Sequence, residues 1–492
     1  MKYELRSAAG IFLSFCWFTT QAQVKEGPGL SKEAIIADYR LAIDILKKQH
    51  PNPYKFIDSL TLNRKTDSLM KEAAQQDNIF ALANYSPVYL IKDVHLNLRW
   101  SADNGKEAIK ATRFFPVPVL IERERMFVNT KETSLPFGSE IIAVNHQPVA
   151  TILNKMSPQI YADGHIKTAT DRFFGEFQTA FSLNNYDCKT YAIDYREPSK
   201  KEIKQVTLLS KNASEGTHSS RHAFFPVNIL QRSFWIYSDF DDQTKLAVLT
   251  VNSFNLNESY AYKEFSAFFR EVNKLGYKNV IIDIRSNGGG NPNISALLYS
   301  FIALKPFHNI FNYRTRTIDI AYPEYAITNG RKMSDEDIQD QKNFLYQRYD
   351  KDSKTGFYIG NTRLREGQLE NFPPDKDAFK GNIYVLTGGG TVSAATYFAS
   401  LVQKNSRGLI VGKETGSGEN ATTAAWFLTY ELPGTKSVLT VPMSELYFFN
   451  AVTDKGRGVM PDKELPIEQF INYMKDGKDP EMTFVKEMIL SL

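Results

Sequence analysis

Cysteine is scarce: the 492-residue chain has two, Cys16 and Cys188. A fold stapled by a disulfide framework is therefore excluded, and the core must come from chain length and apolar packing. Histidine is also sparse, at 7 residues, with no H-E-x-x-H helix and no close His/carboxylate cluster, so no metal site is expected. Charge of one sign is missing too. The 59 basic and 55 acidic residues are mixed along the chain for a net of +4, with no dense Lys/Arg block. That balance argues against a nucleic-acid partner. After the N-terminus no apolar run is long enough to span a bilayer, so no stable membrane span is expected once the leader is removed. Neither triple-glycine run continues as G-K-[ST], which excludes a nucleotide loop, and no cofactor is called for.

What the chain does have is aromatic bulk, 34 Phe and 25 Tyr, and a leader with secretory features. Lys2 and Arg6 precede an apolar run from Ala8 to Phe18, and Thr20-Gln21-Ala22 offers a small-x-small cleavage site. Lipidation at Cys16 is disfavoured by the bulky Phe15 before it. The expectation is a signal peptide over 1–22, an exported protein (periplasmic or secreted), and a mature chain holding Cys188 alone.

Two stretches organise the rest. Tyr384-Val385-Leu386 can fill a short buried strand. Thr387, then Gly388-Gly389-Gly390, form a hinge, and Ala394 to Val402 reads as a helix. Ser393 thus stands at a helix N-terminus, where free N–H groups and the dipole favour negative charge. This is the physics of a nucleophile elbow without the G-x-S-x-G spacing. About a hundred residues earlier, Val280 to Ile284 followed by Gly288-Gly289-Gly290 repeats the pattern, with Pro292 in the first turn of the next helix. Two strand–glycine–helix units predict an α/β domain with both loops at one sheet edge. One loop would carry the nucleophile; Gly288, Gly289 and Ala394 would donate N–H groups to an oxyanion.

The pair Asp283-Ile284-Arg285-Ser286-Asn287-Gly288-Gly289-Gly290 and Gly389-Gly390-Thr391-Val392-Ser393-Ala394-Ala395 resembles the S41 serine peptidases, which comprise tail-specific processing proteases and tricorn-like peptidases. Val411-Gly412-Lys413-Glu414-Thr415 and Gly458-Val459-Met460-Pro461-Asp462 resemble two further family segments and follow in family order, with Ser417 where a family glycine would stand. The resemblance covers about Leu246 to Ile467. It implies a βαβ-type, ClpP/crotonase-like catalytic core over 225–475 and a peptide or protein substrate. It also implies that Asp93-Val94-His95 carries the base, as in the tricorn-like branch. The lysine that the processing branch uses has no counterpart in Thr415-Gly416-Ser417-Gly418-Glu419-Asn420. Lys413 remains the alternative base. Asp454 is nominated as the orienting acid, with Glu414 and Glu419 as rivals. His50, before Pro51, is read as a helix-end residue.

Around that core, 23–110 is expected to be a small helical domain. Its first helix should be capped by Ser31 and stop near His50-Pro51, a second should run from Leu60 to Ala74, and a third from Ile79 to Leu90. The segment 111–210 is β-rich, and Gly138-Ser139-Glu140-Ile141-Ile142-Ala143-Val144-Asn145-His146-Gln147-Pro148-Val149 is similar to a PDZ signature, with His146 in place of the turn glycine. An insertion or lid is expected at 306–380 and a terminal helix at 476–492.

Overall fold

In the computed structural model the described residues are 30–75, 86–156, 162–168, 177–215, 235–308, 311–365, 371–449, 451 and 454–491. The leader and most of the segment expected to form a third N-terminal helix lie outside them. The first helix, Lys32–Gln49, is capped by the Ser31 side chain, which accepts from the Ala34 N–H, and ends at His50 as Pro51 requires. A second helix, Ser59–Ala73, begins at an Asp58 cap. Pro87–Ile91 is a short 3₁₀ turn. The first helix buries Ile35, Tyr39, Ala42, Ile45 and Leu46 against the same core as the central sheet.

That central sheet has the order Leu409–Gly412, Asn382–Thr387, Asn279–Asp283, Leu246–Val251, Ile236–Asp241. The first four strands are parallel and the last is antiparallel. Strands buried on both faces must be apolar throughout, and Leu246–Val251 is buried at every position. Helices Glu258–Lys274, Pro292–Ser300 and Ala394–Lys404 supply Phe265, Phe269, Ile294, Tyr397 and Phe398 to one face. Each such fully buried side chain contributes about 1.5–3 kcal/mol of gross transfer energy. In register, Asp283 lies opposite Leu386, so the two triglycine loops leave neighbouring strands at the same edge.

The segment 111–210 forms a separate sheet, Val119–Glu122, Arg125–Val128, Glu140–Val144, Thr190–Arg196, Ile203–Leu209, with its own core of Phe115, Val117, Ile141, Ile152 and Tyr191. The turn after Glu140–Val144 places Asn145 at φ 48° and His146 at φ 62°, so the position expected to need glycine is filled by a non-glycine residue in left-handed backbone. Asn145 Oδ1 accepts the Ala192 N–H at 2.9 Å, which helps hold that turn.

The segment expected to be an insertion is woven into the molecule rather than laid over it. Its strand Phe311–Thr315 pairs with Ser444–Phe448, and Ala326–Thr328 pairs with Leu428–Glu431. A further helix, Ile467–Lys475, precedes the terminal helix expected at 476–492, which is present as Pro480–Leu490. Both Asp479 and Glu481 at the start of the second reach Arg285, whose guanidinium also binds Asp283, so the terminal helix is tied to the first glycine loop. Among the described residues no helix is long and apolar enough to cross a membrane.

Candidate active site

The two glycine loops are in contact. The Val392 N–H donates to Asn287 O at 3.0 Å, and the Thr391 hydroxyl donates to Ile284 O at 2.9 Å. A Cβ added to Gly289 would lie 2.6 Å from Ser393 Cβ and 3.2 Å from the Ala394 nitrogen, so only glycine fits there, and φ of +100° agrees. Ser393 itself has φ 58° and ψ −122°, an arrangement that L side chains rarely adopt, and its hydroxyl caps nothing in the helix it begins. Strain of this kind typically costs about 1–3 kcal/mol and persists only where the surroundings impose it. Here they do. The Ser393 N–H donates to Ser417 Oγ at 2.7 Å, and Ser417 in turn donates to Thr396 Oγ1 at 2.8 Å. Both Ser417 and Thr396 are buried.

Of the three N–H groups expected to serve an oxyanion, one is committed elsewhere. Gly289 donates to the Asn287 side chain at 2.9 Å. Its role is to admit Ser393, not to donate. Gly288 is exposed and a side chain there would meet nothing within 4 Å. Ala394 is the first helical residue, whose N–H has no intrahelical acceptor.

His95 sits in a turn just before the short edge strand Asn97–Arg99. Its Nδ1 lies 3.3 Å from the Thr422 hydroxyl, and its ring lies 6.1 Å from the half-exposed Phe427 ring. Thr422 donates to Asp163 Oδ2 at 2.9 Å; the Gly418 N–H donates to the same oxygen at 3.0 Å. Gly418 follows Ser417, which holds Ser393. Four hydrogen bonds and one peptide link therefore run from Ser393 to His95, two residues nearly three hundred positions apart in the chain.

Asp163 and Asp93 are two buried carboxylates on either side of this turn. The Val94 N–H donates to Asp163 and the His95 N–H to Asp93, at 3.0 and 2.7 Å. Asp93 also takes the Thr423 hydroxyl and lies 2.6 Å from His50 Nε2. Burial would raise the Asp93 pKa, but His50, then His95 and Thr423, outweigh it and hold it below the ordinary value. Asp163 is pushed the other way, up to about 7, by burial and then by the Asp93 charge.

The remaining candidates are engaged with other partners. Asp454, nominated as orienting acid, pairs with Lys55 at 2.5 Å and accepts the Gly456 N–H at 2.9 Å. Lys55 also pairs with the buried Glu445 at 2.8 Å. Burial lowers the Lys55 pKa, but these two acids reverse the effect and raise it. Lys413 pairs with Glu122 of the second sheet. Glu414 takes Arg457 in a bidentate pair at 2.7 and 2.8 Å, and Glu419 pairs with Lys404 at 2.9 Å. His50 is more than a helix end, since Nε2 holds Asp93 while Nδ1 accepts the Asn52 N–H at 3.1 Å. Among the described residues no group of three or more His, Cys, Asp or Glu could hold a metal ion.

The model of peptidase family S41 matches residues 245–465. By structure the chain is similar to mature CPAF complexed with lactacystin, with a TM-score of 0.59 at 14% identity over 93% of this chain and 98% of that one. A CPAF mutant gives a TM-score of 0.61 at 16% identity, over 94% and 98%. The two chains thus share a fold along nearly their whole length. No curated protein matches by sequence.

Proposed function

With its 245–465 domain the chain belongs to peptidase family S41 and is a serine-type peptidase, and we propose that Ser393 is its nucleophile and His95 its base. In this reading the Ser393 hydroxyl passes its proton to His95 Nε2 and attacks the substrate carbonyl. The oxyanion forms at the junction of the two glycine loops, where the Gly288 and Ala394 N–H groups receive it. Protonated His95 then returns the proton to the leaving amine, and water repeats the sequence on the acyl-enzyme. Removing one oxyanion donor in comparable enzymes costs about 3–4 kcal/mol of barrier.

One observation carries the reading: Ser393 is held in a costly backbone conformation at a helix start while its hydroxyl performs no capping work. A structural serine at that position would relax into an N-cap. Histidine suits the base role because its pKa lies near neutrality without tuning. The core is then ClpP/crotonase-like, and the 111–210 sheet a PDZ-like module that takes an extended peptide by strand addition. The secretory features of residues 1–22 support an exported enzyme.

The test is labelling and turnover. A serine-directed fluorophosphonate should label Ser393, and Ser393→Ala should abolish both labelling and peptide hydrolysis in a folded protein. Peptide hydrolysis that survives Ser393→Ala would end this mechanism.

A further inference from the structure

The acid that serves His95 is not among the carboxylates that the sequence pattern suggests. We propose that Asp163 is the positioning residue for His95, acting through the Thr422 hydroxyl, and that its ionisation selects the imidazole tautomer that can accept the Ser393 proton. This rests on the reading of Ser393 and His95 given above.

The number of available hydrogens decides the tautomer. Thr422 Oγ1 carries one hydrogen and lies between Asp163 Oδ2 at 2.9 Å and His95 Nδ1 at 3.3 Å. When Asp163 is ionised its oxygens only accept, so Thr422 donates to it and turns a lone pair toward His95. His95 must then carry its hydrogen on Nδ1, which leaves Nε2 unprotonated and able to act as a base. When Asp163 is protonated the relay can reverse. The acid donates to Thr422, Thr422 donates to Nδ1, and the hydrogen moves to Nε2, where it blocks base action. No proton is gained by the pair in catalysis beyond the one from Ser393. Ionised Asp163 also offsets the imidazolium that forms.

Two further features fit. Asp163 is buried, and the Gly418 and Val94 N–H groups fix its carboxylate from the nucleophile side and the histidine side. It therefore ties the segment that holds Ser393 to the turn that carries His95. The charged groups bearing on it are Asp93 and Lys55, with His95 beyond Thr422 and His50 beyond Asp93. Burial and Asp93 push its ionisation into the neutral range, where it can govern activity. A carboxylate titrating at its ordinary value would be ionised throughout that range.

The experiment compares Thr422→Val, Thr422→Ser and Asp163→Asn in the full chain, with kcat, KM and the pH profile of kcat/KM on a peptide substrate. Thr422→Val keeps the shape and removes the relay. Its kcat should fall on the order of 100-fold with KM little changed, and Thr422→Ser should restore most of it. Asp163→Asn should fall at least as far, because its amide donates toward Thr422 and favours the wrong tautomer. In the wild type the acid limb should approach a two-proton slope; in Asp163→Asn it should have a one-proton slope. If Asp163→Asn does not fold, Thr422→Val decides. Thr422→Val with wild-type kcat and an unchanged acid limb overturns the proposal, as does failure of Thr422→Ser to restore activity. A wild-type enzyme without Ser393-dependent turnover would instead defeat the parent reading, and this one with it.

Discussion

Replacing Ser393 by glycine should remove activity and stabilise the protein. At φ 58° and ψ −122° the serine Cβ is unfavourable, while glycine occupies that region without penalty. The strain released is about 1–3 kcal/mol. Against it stands the greater freedom of glycine in the unfolded chain, about 0.4–1 kcal/mol. The net expectation is about 0–2.6 kcal/mol, centred near 1, in favour of Ser393→Gly. Ser393→Ala is the internal control, since alanine keeps the Cβ and hence the strain, so it should unfold with the wild type. Thermal or urea unfolding of the three proteins gives the comparison. For a domain of this size a difference of 1 kcal/mol moves Tm by roughly 2–4 °C. If Ser393→Gly proves no more stable than Ser393→Ala, the backbone at this position is not strained, and the claim that the fold holds a reactive hydroxyl under tension falls.

The two glycines of the first loop should respond differently to alanine. At Gly289 the new Cβ would strike Ser393 Cβ and Val392 O at 2.6 and 2.8 Å, so turnover and stability should both drop. At Gly288 it meets nothing, so Tm should stay within the change that about 0.5 kcal/mol produces. Stability should also carry the mark of Asp163. Its folded pKa, about 7, lies above the unfolded value near 3.8, so the folded state binds more protons between those limits. The group therefore makes stability fall as pH rises from about 4 to 7, and urea unfolding of Asp163→Asn relative to wild type should shift toward the variant over that window. Arg285→Ala leaves Asp283, Asp479 and Glu481 without their shared cation. A loss of about 3–5 kcal/mol is expected, measurable by denaturant midpoint, because removing one partner leaves buried charges uncompensated.

Much of this was legible in the sequence where the signal is local. Triple glycines after β-branched runs mark hinges, so the two loops and the strand–helix units around them were found, and Ser31 and Pro51 bounded the first helix. His95 was nominated through a resemblance, since a lone histidine carries no local sign of a catalytic role. Asp163 was missed because nothing near it in sequence signals burial. Its three donors come from Val94, Gly418 and Thr422, and only folding brings them together. Asp454 was nominated for its place before a family motif, but proximity in sequence to that motif says nothing of Lys55, which lies four hundred residues earlier and claims the carboxylate. The 306–380 segment looked like an excursion because its strands are short, and strand pairing with partners a hundred residues on is invisible to periodicity.

The edge strand Asn97–Arg99, which follows the His95 turn, pairs with Val438–Val441. During synthesis the imidazole emerges early, yet the strand that seats it follows more than three hundred residues later. On the proposed roles, a copy cut between Ser393 and Val438 would carry both the serine and the histidine yet lack the strand that seats the histidine turn, and so stay inert toward a neighbour's peptide bonds.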